Sequence, residues 1–301
     1  MRAITDPVFS KYLLRVGDRE EPCNLNDEIT IPPSMIIPPR QNIAVVEQLI
    51  SFVFPDLKRY SVDAICMTQS TILAPRNDSV DEINELLMNR FPGKECIYTS
   101  IDETINPADQ GLYVNFIHSI CPPGMPAHQL VLKENCPVMM LRNLDPSKGL
   151  CNGTRLICQK LHKHVIMAEI VVGEHQGDIV FIPHISLQPT DAKLYPVQFT
   201  RRQFPIRLCF AMTINKAQGQ TLDIVGVNLQ EPVFSHGLLY VALSRDTAAS
   251  KIKVVVDAYS DRDKTAALTK NIVYGEILNE AQSNWFRVNV VWINTCVNVI
   301  A

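Results

Sequence analysis

The sequence predicts an α/β fold into which a small β-barrel is inserted. Residues 71–98 alternate strand, helix and strand, which is the rhythm of an α/β layer, and residues 207–256 resume that rhythm. Between them, residues 126–190 carry short apolar runs at regular spacing with no helical pattern, which is typical of a small barrel. We therefore expect a discontinuous α/β domain of residues 1–125 and 191–280 around an inserted barrel of residues 126–190.

The N-terminal region predicts two amphipathic helices. The first is predicted within residues 1–20, and Gly17 is a plausible stop for it. Its apolar stripe, which recurs at helical spacing, consists of Val8, Phe9, Tyr12, Leu13 and Val16. The second helix covers residues 43–54, and its apolar stripe consists of Val46, Leu49, Ile50 and Phe54.

The first complete α/β unit follows. Residues 71–74 form a short apolar strand that ends at Pro75, and Asn77 opens a group of capping residues. A helix then runs to about Arg90, because apolar positions recur at Val80, Ile83, Leu86 and Leu87. Pro92 and Gly93 end this helix, and a strand begins at Cys96.

Short β-like runs fill the predicted barrel. They are residues 130–132, 137–141, 154–158, 165–172 and 179–185. Polar and glycine-containing segments separate them, as expected for hairpin connections.

The α/β alternation returns near the C-terminal end. Residues 207–212 predict a strand, residues 214–218 a helical turn that stops at Gly219, and residues 223–229 a second strand. Residues 237–244 then predict a helix and residues 251–256 a last strand.

Composition excludes several classes of protein. The chain has 301 residues, 47% of them hydrophobic, and a formal net charge of −3, so it is not a small basic nucleic-acid binder. Its nine cysteines include no CxxC pair, which fits neither a zinc knuckle nor a disulfide framework. Reduced thiols in a nuclear, organellar or cytosolic protein are the better interpretation. No apolar signal core opens the chain, and the apolar tail of residues 288–301 is too short for a membrane span.

A first group of functional candidates lies in the segment Phe210–Thr221. A buried strand delivers hydroxyl, amide and ammonium groups at its C-terminal end, which is where ligands bind in open α/β sheets. Thr213 is positioned to cap the following turn, and Lys216 adds a point charge, a mixture that suits a sugar-phosphate backbone. Composition alone favours the alternative, an ordinary strand–turn–helix junction with exposed polar residues.

The second group is the segment Ser235–Arg245, a mostly apolar helix that ends in Ser244-Arg245. An arginine at this position is either a surface charge that complements the helix dipole or an arginine finger that stabilises a transferring phosphoryl group. His236, just before the helix, fits a structural role better than that of a base.

The chain contains no P-loop. A P-loop requires G-x-x-x-x-G-K-[S/T] after a strand. Gly93-Lys94 is followed by Glu95, and Met88 stands where the first glycine is required, so this segment is a turn after a helix. Asp257 follows an apolar strand, as a magnesium-binding aspartate does, but without a P-loop beside it that strand is interpreted as the last of the sheet.

Taken together, the two segments resemble motifs five and six of superfamily-one helicases, and more closely the PIF (petite integration frequency) helicase family, including its plant and Helitron-transposon branch. Further matches run in family order through residues 1 to about 280. They are Asp6–Ser10, Leu13–Gly17, Ala74–Asn77, Phe91–Gly93, Pro137–Leu144, Gly149–Leu156 and Gln203–Ile206.

The resemblance implies a second RecA-like domain of the P-loop NTPase type in residues 1–125 and 191–280, with the barrel as the family's accessory domain near the DNA path. Residues 281–301 match nothing in the family and are left as an unassigned extension. The first RecA-like domain, which holds ATP and Mg²⁺ in the full-length family, is expected to lie in cis outside this chain, and this chain alone is expected to bind neither and to hydrolyse ATP at background rate.

Site residues follow from the same resemblance. Arg2 resembles the arginine of motif four, and Arg2 and Arg245 would both reach the ATP phosphates. Motif five would contact single-stranded DNA through Thr213, Asn215, Lys216 and Gln218. The adjoining residues on the nucleotide side would be Gly219, Gln220 and Thr221. Two positions depart from the family: Leu238 replaces a frequent Gln, and Asn215 replaces a frequent His.

The implied activity is DNA unwinding driven by ATP hydrolysis, in DNA repair, recombination and telomere maintenance. We expect a monomer in the nucleus or an organelle, with single-stranded DNA as partner and no membrane contact. Three alternatives stay open: a single-strand DNA-binding module without motor activity, a decayed transposon helicase, and a scaffold unrelated to DNA.

Overall fold

The computed structural model describes residues 6–38, 43–60, 64–257 and 267–276. These residues form two compact units. Unit 1 contains the described residues among 1–55, 69–83 and 211–301, and unit 2 contains those of 56–68 and 84–210. Arg2 and residues 281–301 lie outside the described residues.

α-Helices and strands are interspersed up to Ser119 and beyond Leu229, whereas residues 129–229 contain strands and 3₁₀ turns without an α-helix. The helices are α1 Pro7–Gly17, α2 Val45–Val53, α3 Leu57–Tyr60, α4 Asn77–Arg90, α5 Gln110–Ser119 and α6 Leu238–Leu243. The first eight strands are β1 Glu28–Thr30, β2 Ser70–Ala74, β3 Cys96–Thr99, β4 Ile101–Thr104, β5 Gln129–Leu132, β6 Pro137–Met140, β7 Arg155–Leu161 and β8 Val165–Ile170. The others are β9 Ile179–Pro183, β10 Ile185–Leu187, β11 Phe199–Gln203, β12 Ile206–Leu208, β13 Ala211–Thr213, β14 Ile224–Leu229, β15 Ile252–Val256 and β16 Leu268–Lys270.

Unit 1 is built on a four-stranded parallel sheet in the order β13-β2-β14-β15. Every residue of β2 is buried, and so are the last five of β14, as expected for central parallel strands covered on both faces. Helix α2 packs on β14 at Gly226, where an added Cβ would lie 2.8 Å from a methyl carbon of Val53 and 3.0 Å from Leu49. The absence of a side chain at Gly226 therefore sets how closely α2 approaches the sheet.

Helix α1, Pro7–Gly17, is shorter than the predicted range of residues 1–20 and ends at Gly17, the predicted stop. Pro7 occupies the first turn, where its missing N–H costs no hydrogen bond, and Asp6 Oδ1 accepts the backbone N–H of Phe9 at 3.0 Å. The buried stripe is Phe9, Tyr12, Leu13 and Val16. Val8 is 82% exposed, so its predicted place in the stripe is wrong: it lies next to the stripe, on the solvent side.

Unit 2 contains a five-stranded antiparallel sheet in the order β12-β6-β7-β8-β9. A turn leads into β6 with Asn135 in the left-handed region at φ 66°, where Asn135 N–H bonds Cys158 O and Cys158 N–H bonds Cys136 O. This is the hydrogen-bond pattern of a G1 bulge. Smaller sheets, β10-β11-β4 and β3-β5, complete the strands of this unit.

The structure corrects three predictions from the sequence. Residues 207–212 are not one strand: β12 pairs with β6 in unit 2, the chain turns at Cys209 and Phe210, and β13 enters the parallel sheet of unit 1. Leu86 of the predicted stripe is 38% exposed, whereas Met88, which the prediction left out, is buried. The sequence did not predict β4, α5, β10 or β11. The predicted division of the chain into a discontinuous domain of residues 1–125 and 191–280 and an inserted domain of residues 126–190 stays a prediction. Unit 2 extends beyond residues 126–190 on both sides.

Among the described residues, no helix is both long and apolar enough to cross a membrane.

Candidate functional site

The candidate DNA-contacting segment leaves the parallel sheet at the carboxyl end of β13. Thr213 pairs in register with Ala74 of β2, and a single 3₁₀ turn, Ile214–Ala217, follows it. Ile214 and Ala217 are fully buried, whereas Asn215 and Lys216 between them are exposed. Two apolar anchors thus fix a short segment that presents an amide and an ammonium group to solvent. Thr213 stands at the N-cap position, but its side chain makes no capping hydrogen bond, so the predicted cap is wrong.

A tight turn follows, made of Ala217, Gln218, Gly219 and Gln220. Gln218 has φ −58° and ψ 134°, Gly219 has φ 84°, and Gln220 N–H donates to Ala217 O at 3.1 Å. These values define a type II β-turn, whose third position requires a positive φ and so favours glycine. The Gln220 side chain donates from Nε2 to Lys216 O at 3.1 Å, which ties the turn to the preceding 3₁₀ turn.

Exposure divides the sequence-predicted residues of this segment. Gly219 and Thr221 are exposed like Asn215 and Lys216, whereas Thr213, Gln218 and Gln220 are half-buried. The structure therefore places Lys216 and Asn215 where they can reach a polymer in solvent.

Arg245 follows α6 and is only 8% exposed, so it is not the surface charge that one interpretation of the sequence suggested. Its guanidinium donates from Nε to Val241 O at 2.7 Å and from Nη1 to Ala217 O at 3.1 Å and Gln220 O at 3.3 Å. Nη2 donates to Ser244 Oγ at 2.7 Å. The structure thus brings Arg245 and the turn after β13 together, which the sequence alone did not indicate.

The loop after Arg245 is tied to the start of α1. Asp6 Oδ2 accepts the backbone N–H of Ala249 at 3.3 Å. Asp246 is buried, and its Oδ1 accepts the backbone N–H groups of Thr247 and Ala248. Burial raises the pKa of the Asp246 carboxyl above its usual range. Asp6, which lies four positions after Arg2 in sequence, therefore holds the segment that follows Arg245.

His236 has a structural role. Its Nδ1 accepts the backbone N–H of Tyr274 at 3.0 Å, and the two rings stack with centroids 5.5 Å apart. Burial lowers the pKa of His236, so the neutral ring, with its proton on Nε2, is favoured. Leu238 is buried at the start of α6, where an apolar side chain suits the packing.

Arg76 is a candidate that the sequence interpretation did not include among the site residues. It lies two residues beyond β2, at the same carboxyl edge of the sheet as Thr213, and its Nε forms a 3.0 Å ion pair with Glu231 beyond β14. Its side chain is 60% exposed. The signal that was available is its place directly after a buried strand, next to the motif Ala74–Asn77.

Unit 2 holds a cluster of possible metal ligands, Asp102, His118 and His128, whose ligand atoms lie within 4.8 Å of one another. The two imidazole rings stack with centroids 3.6 Å apart at 12°, so their lone pairs lie in two nearly parallel planes and cannot both point at one ion. Both oxygens of Asp102 accept hydrogen bonds from the buried Arg201. The cluster therefore fits a structural network better than a metal site.

Comparison with known proteins finds similarity to Pif1 helicases. Residues 115–161 match the family model of the 2B domain of DNA helicase Pif1. The ATP-dependent DNA helicase PIF1 of Xenopus laevis is 30% identical over 189 residues, which are 62% of this chain and 27% of that protein. The Homo sapiens protein of that name gives the same values. The Pif1 helicase of Bdellovibrio bacteriovorus is 29% identical over 185 residues, 62% of this chain and 39% of the relative.

Solved structures agree in fold. The crystal structure of Pif1 helicase from Candida albicans has a TM-score of 0.56 at 19% identity, covering 94% of this chain and 59% of that one. Pif1 helicase from Bacteroides in complex with ADP-AlF3 and ssDNA has a TM-score of 0.57 at 20% identity, covering 95% of this chain and 55% of that one. Sequence and fold comparisons thus agree that this chain is similar to Pif1 helicases, and it spans 27% to 39% of the length of the curated relatives described above.

Proposed function

We propose that this chain supplies the DNA-contacting part of an ATP-dependent DNA helicase. The observation that carries the proposal is the exposed pair Asn215 and Lys216, held between the buried anchors Ile214 and Ala217 at the carboxyl edge of the parallel sheet. Ligands of open α/β sheets bind at this edge. The Bacteroides relative of the same fold was solved with ssDNA, which supports single-stranded DNA as the partner.

The chemistry of the segment suits a sugar-phosphate backbone. Lys216 offers a mobile point charge for one phosphate, and Asn215 offers amide donors and an acceptor for phosphate or sugar oxygens. Contacts of this kind neutralise and position a strand without reading its sequence. Arg76, exposed at the same edge, is a further candidate for a phosphate contact, and Thr213 and Gln218 contribute polar groups from half-buried positions.

The nucleotide side of the function needs residues that this chain does not carry. No G-x-x-x-x-G-K-[S/T] segment occurs in the 301 residues, so ATP and Mg²⁺ would be held by a P-loop domain in cis. Arg245, and Arg2 by resemblance, would then stabilise charge on the transferring phosphoryl group. Gly219, Gln220 and Thr221 lie between Arg245 and the DNA-facing residues in this scheme. Without the P-loop domain the chain hydrolyses ATP at background rate.

The domain assignment belongs to the same proposal. The parallel sheet of unit 1 corresponds to the second RecA-like domain, and the antiparallel sheet of unit 2 to the inserted accessory domain predicted at 126–190. The match of residues 115–161 to a Pif1 2B domain supports the second correspondence. A plant or Helitron-like origin, a nuclear or organellar location and a monomeric state complete the proposal.

Binding to single-stranded DNA tests the proposal. In fluorescence anisotropy with labelled oligothymidylate at low salt, the chain is expected to bind, and Lys216→Ala is expected to weaken binding by about threefold to tenfold, the cost of one phosphate contact. Lys270→Ala, which removes an equally exposed charge in the β1-β16 sheet, is the matched control and is expected to bind like the wild type.

Two outcomes count against the proposal. Absence of binding, or equal affinities of Lys216→Ala and the wild type, would remove the assigned DNA contact. ATP turnover measured on the same samples separates the motor from a simple binding module: DNA-stimulated hydrolysis that is lost in Arg245→Ala would show that the chain needs no P-loop domain in cis.

A further inference from the structure

Arg245 forms hydrogen bonds to both ends of the turn that follows the DNA-facing residues. One nitrogen, Nη1, donates to the carbonyl oxygens of both the first and the last residue of the type II turn, Ala217 and Gln220. The backbone carbonyl of Arg245 accepts the N–H of Leu222 at 3.0 Å, just beyond the turn. Side chain and main chain of one residue thus hold the segment 217–222 from two directions.

The strength of this clamp follows from burial and charge. Hydrogen bonds from a guanidinium are stronger than neutral ones, and at 8% exposure water competes little for its donors. The third carbonyl, Val241 O at 2.7 Å, belongs to the last turn of α6, whose C-terminal dipole also favours a cation. Backbone carbonyl oxygens of α6 and of the turn therefore hold the guanidinium between them.

We propose that Arg245 is a positioning residue of the DNA-facing turn, and that holding the turn and contacting a nucleotide phosphate are alternative states of this side chain. Both hydrogens of Nη1 serve Ala217 O and Gln220 O, so a phosphate that draws the guanidinium out of this seat takes those bonds away from the turn. The inference rests on the proposed function, because it joins the phosphate-contacting arginine to the segment that contacts DNA.

The coupling is reciprocal. A strand that stabilises the turn in its present form also stabilises the seated arginine, and a phosphate that extracts the arginine loosens the turn. Such an exchange links the nucleotide state to DNA affinity through a single side chain, with no long chain of intermediates.

Hydrogen exchange of the DNA-free chain tests the clamp. The amides to follow are those of Gln220, bonded to Ala217 O, and Leu222, bonded to Arg245 O. Arg245→Ala is expected to speed their exchange by about tenfold or more, because local opening becomes easier, while the β14 amides of Val225 and Val227 keep their rates. Arg19→Ala, which removes an exposed arginine paired with Asp27, is the matched control and is expected to change neither set.

A second variant covers the case in which Arg245→Ala does not fold. Arg245→Lys keeps the charge, but one ammonium group on an unbranched stem does not span the carbonyls of Ala217, Gln220 and Val241 together. It is expected to speed exchange at Gln220 and Leu222 by about threefold. Exchange rates within about twofold of the wild type in this variant would overturn the inference.

Addition of oligothymidylate separates this inference from the proposed function. Bound DNA is expected to slow exchange of Gln220 and Leu222 in the wild type. If the chain binds no DNA but the Arg245 variants still loosen the turn, the clamp stands and the proposed function fails. If DNA binds and the variants leave the turn unchanged, the clamp fails and the proposed function stands.

Discussion

At the scale of single residues, three buried cations, Lys133, Arg201 and Arg245, lie at the C-terminal ends of helices. Lys133 Nζ donates to Met88 O at 2.8 Å and Phe91 O at 2.7 Å, at the end of α4. Arg201, which is fully buried, donates to Ile117 O in the last turn of α5 and to Ile120 O just beyond it. Arg245 donates to a carbonyl of α6. Helix ends leave carbonyls without intrahelical partners, so a cation there offsets both the missing hydrogen bonds and the dipole.

The network around Arg201 fixes the protonation of His128. Ser100 donates its hydroxyl hydrogen to Asp102 Oδ1 at 2.6 Å, so its oxygen accepts the Nδ1–H of His128 at 2.8 Å. Burial, followed by the adjacent His118, lowers the pKa of His128, although Asp102 acts in the opposite direction. The folded protein therefore favours the neutral ring.

A pH dependence of stability follows from His128. With a lowered folded-state pKa, the unfolded chain binds more protons near and below the ordinary pKa of about 6.5, so the free energy of unfolding falls as pH falls from about 7 to 5. His128→Asn keeps a donor for Ser100 and removes the titration, and is expected to make urea unfolding midpoints vary less over this range. His162→Asn, in an exposed hairpin, is the control; equal pH slopes in the wild type and His128→Asn would contradict this assignment.

At the scale of elements, the type II turn of residues 217–220 depends on Gly219. No atom lies within 4 Å of a Cβ built there, so the constraint is the backbone φ of 84° and not space. Gly219→Ala is expected to destabilise the chain by about 1 kcal/mol, measured by urea unfolding, and to weaken binding of oligothymidylate.

Gly111→Ala is the matched control for that change. Gly111 lies within α5 and also has nothing within 4 Å of an added Cβ, but its φ is not positive. Alanine is the better helix former, so this variant is expected to be neutral or stabilising by up to about 1 kcal/mol. A Gly219→Ala variant as stable as Gly111→Ala would show that the turn is not strained.

Elements with strong local patterns were predictable from the sequence. Helices α1, α2 and α4 carry apolar stripes at helical spacing, and β2, β14 and β15 are short apolar runs. Helix α5 was missed, although its sequence carries a helical signal. The apolar residues that pack on one core cluster there recur at helical spacing; they are Tyr113, Phe116, Ile117 and the adjoining Ile120. The break between β12 and β13 was not predictable, because both halves read as one apolar strand and only the partners in two different sheets separate them.

The candidate site was predictable in part, for a related reason. Residue types and order pointed to Lys216 and Arg245, since polar groups after a buried strand carry a local signal. The arrangement of these residues in space had no local signal in the sequence. Arg245 contacts Ala217 and Gln220 across a sequence distance of 25 residues or more, and its burial depends on that contact. Arg76 was overlooked because it lies near Thr213 only as a result of the pairing of β2 with β13.

At the scale of the whole molecule, each compact unit is assembled from separated stretches of chain. Unit 1 joins three stretches and unit 2 joins two. The DNA-contacting proposal concerns unit 1, whereas the match to a Pif1 2B domain lies in unit 2. The family-model match and the proposed site thus lie in different units of the chain.

The salt dependence of single-stranded DNA binding tests the central proposal most directly. Each phosphate neutralised on a single strand contributes a slope of about −0.7 to the plot of log affinity against log salt concentration. We expect strong salt dependence for the wild type, a slope smaller in magnitude by about 0.7 for Lys216→Ala, and an unchanged slope for Lys270→Ala. No binding at about 50 mM salt, or one common slope for all three proteins, would contradict the central proposal.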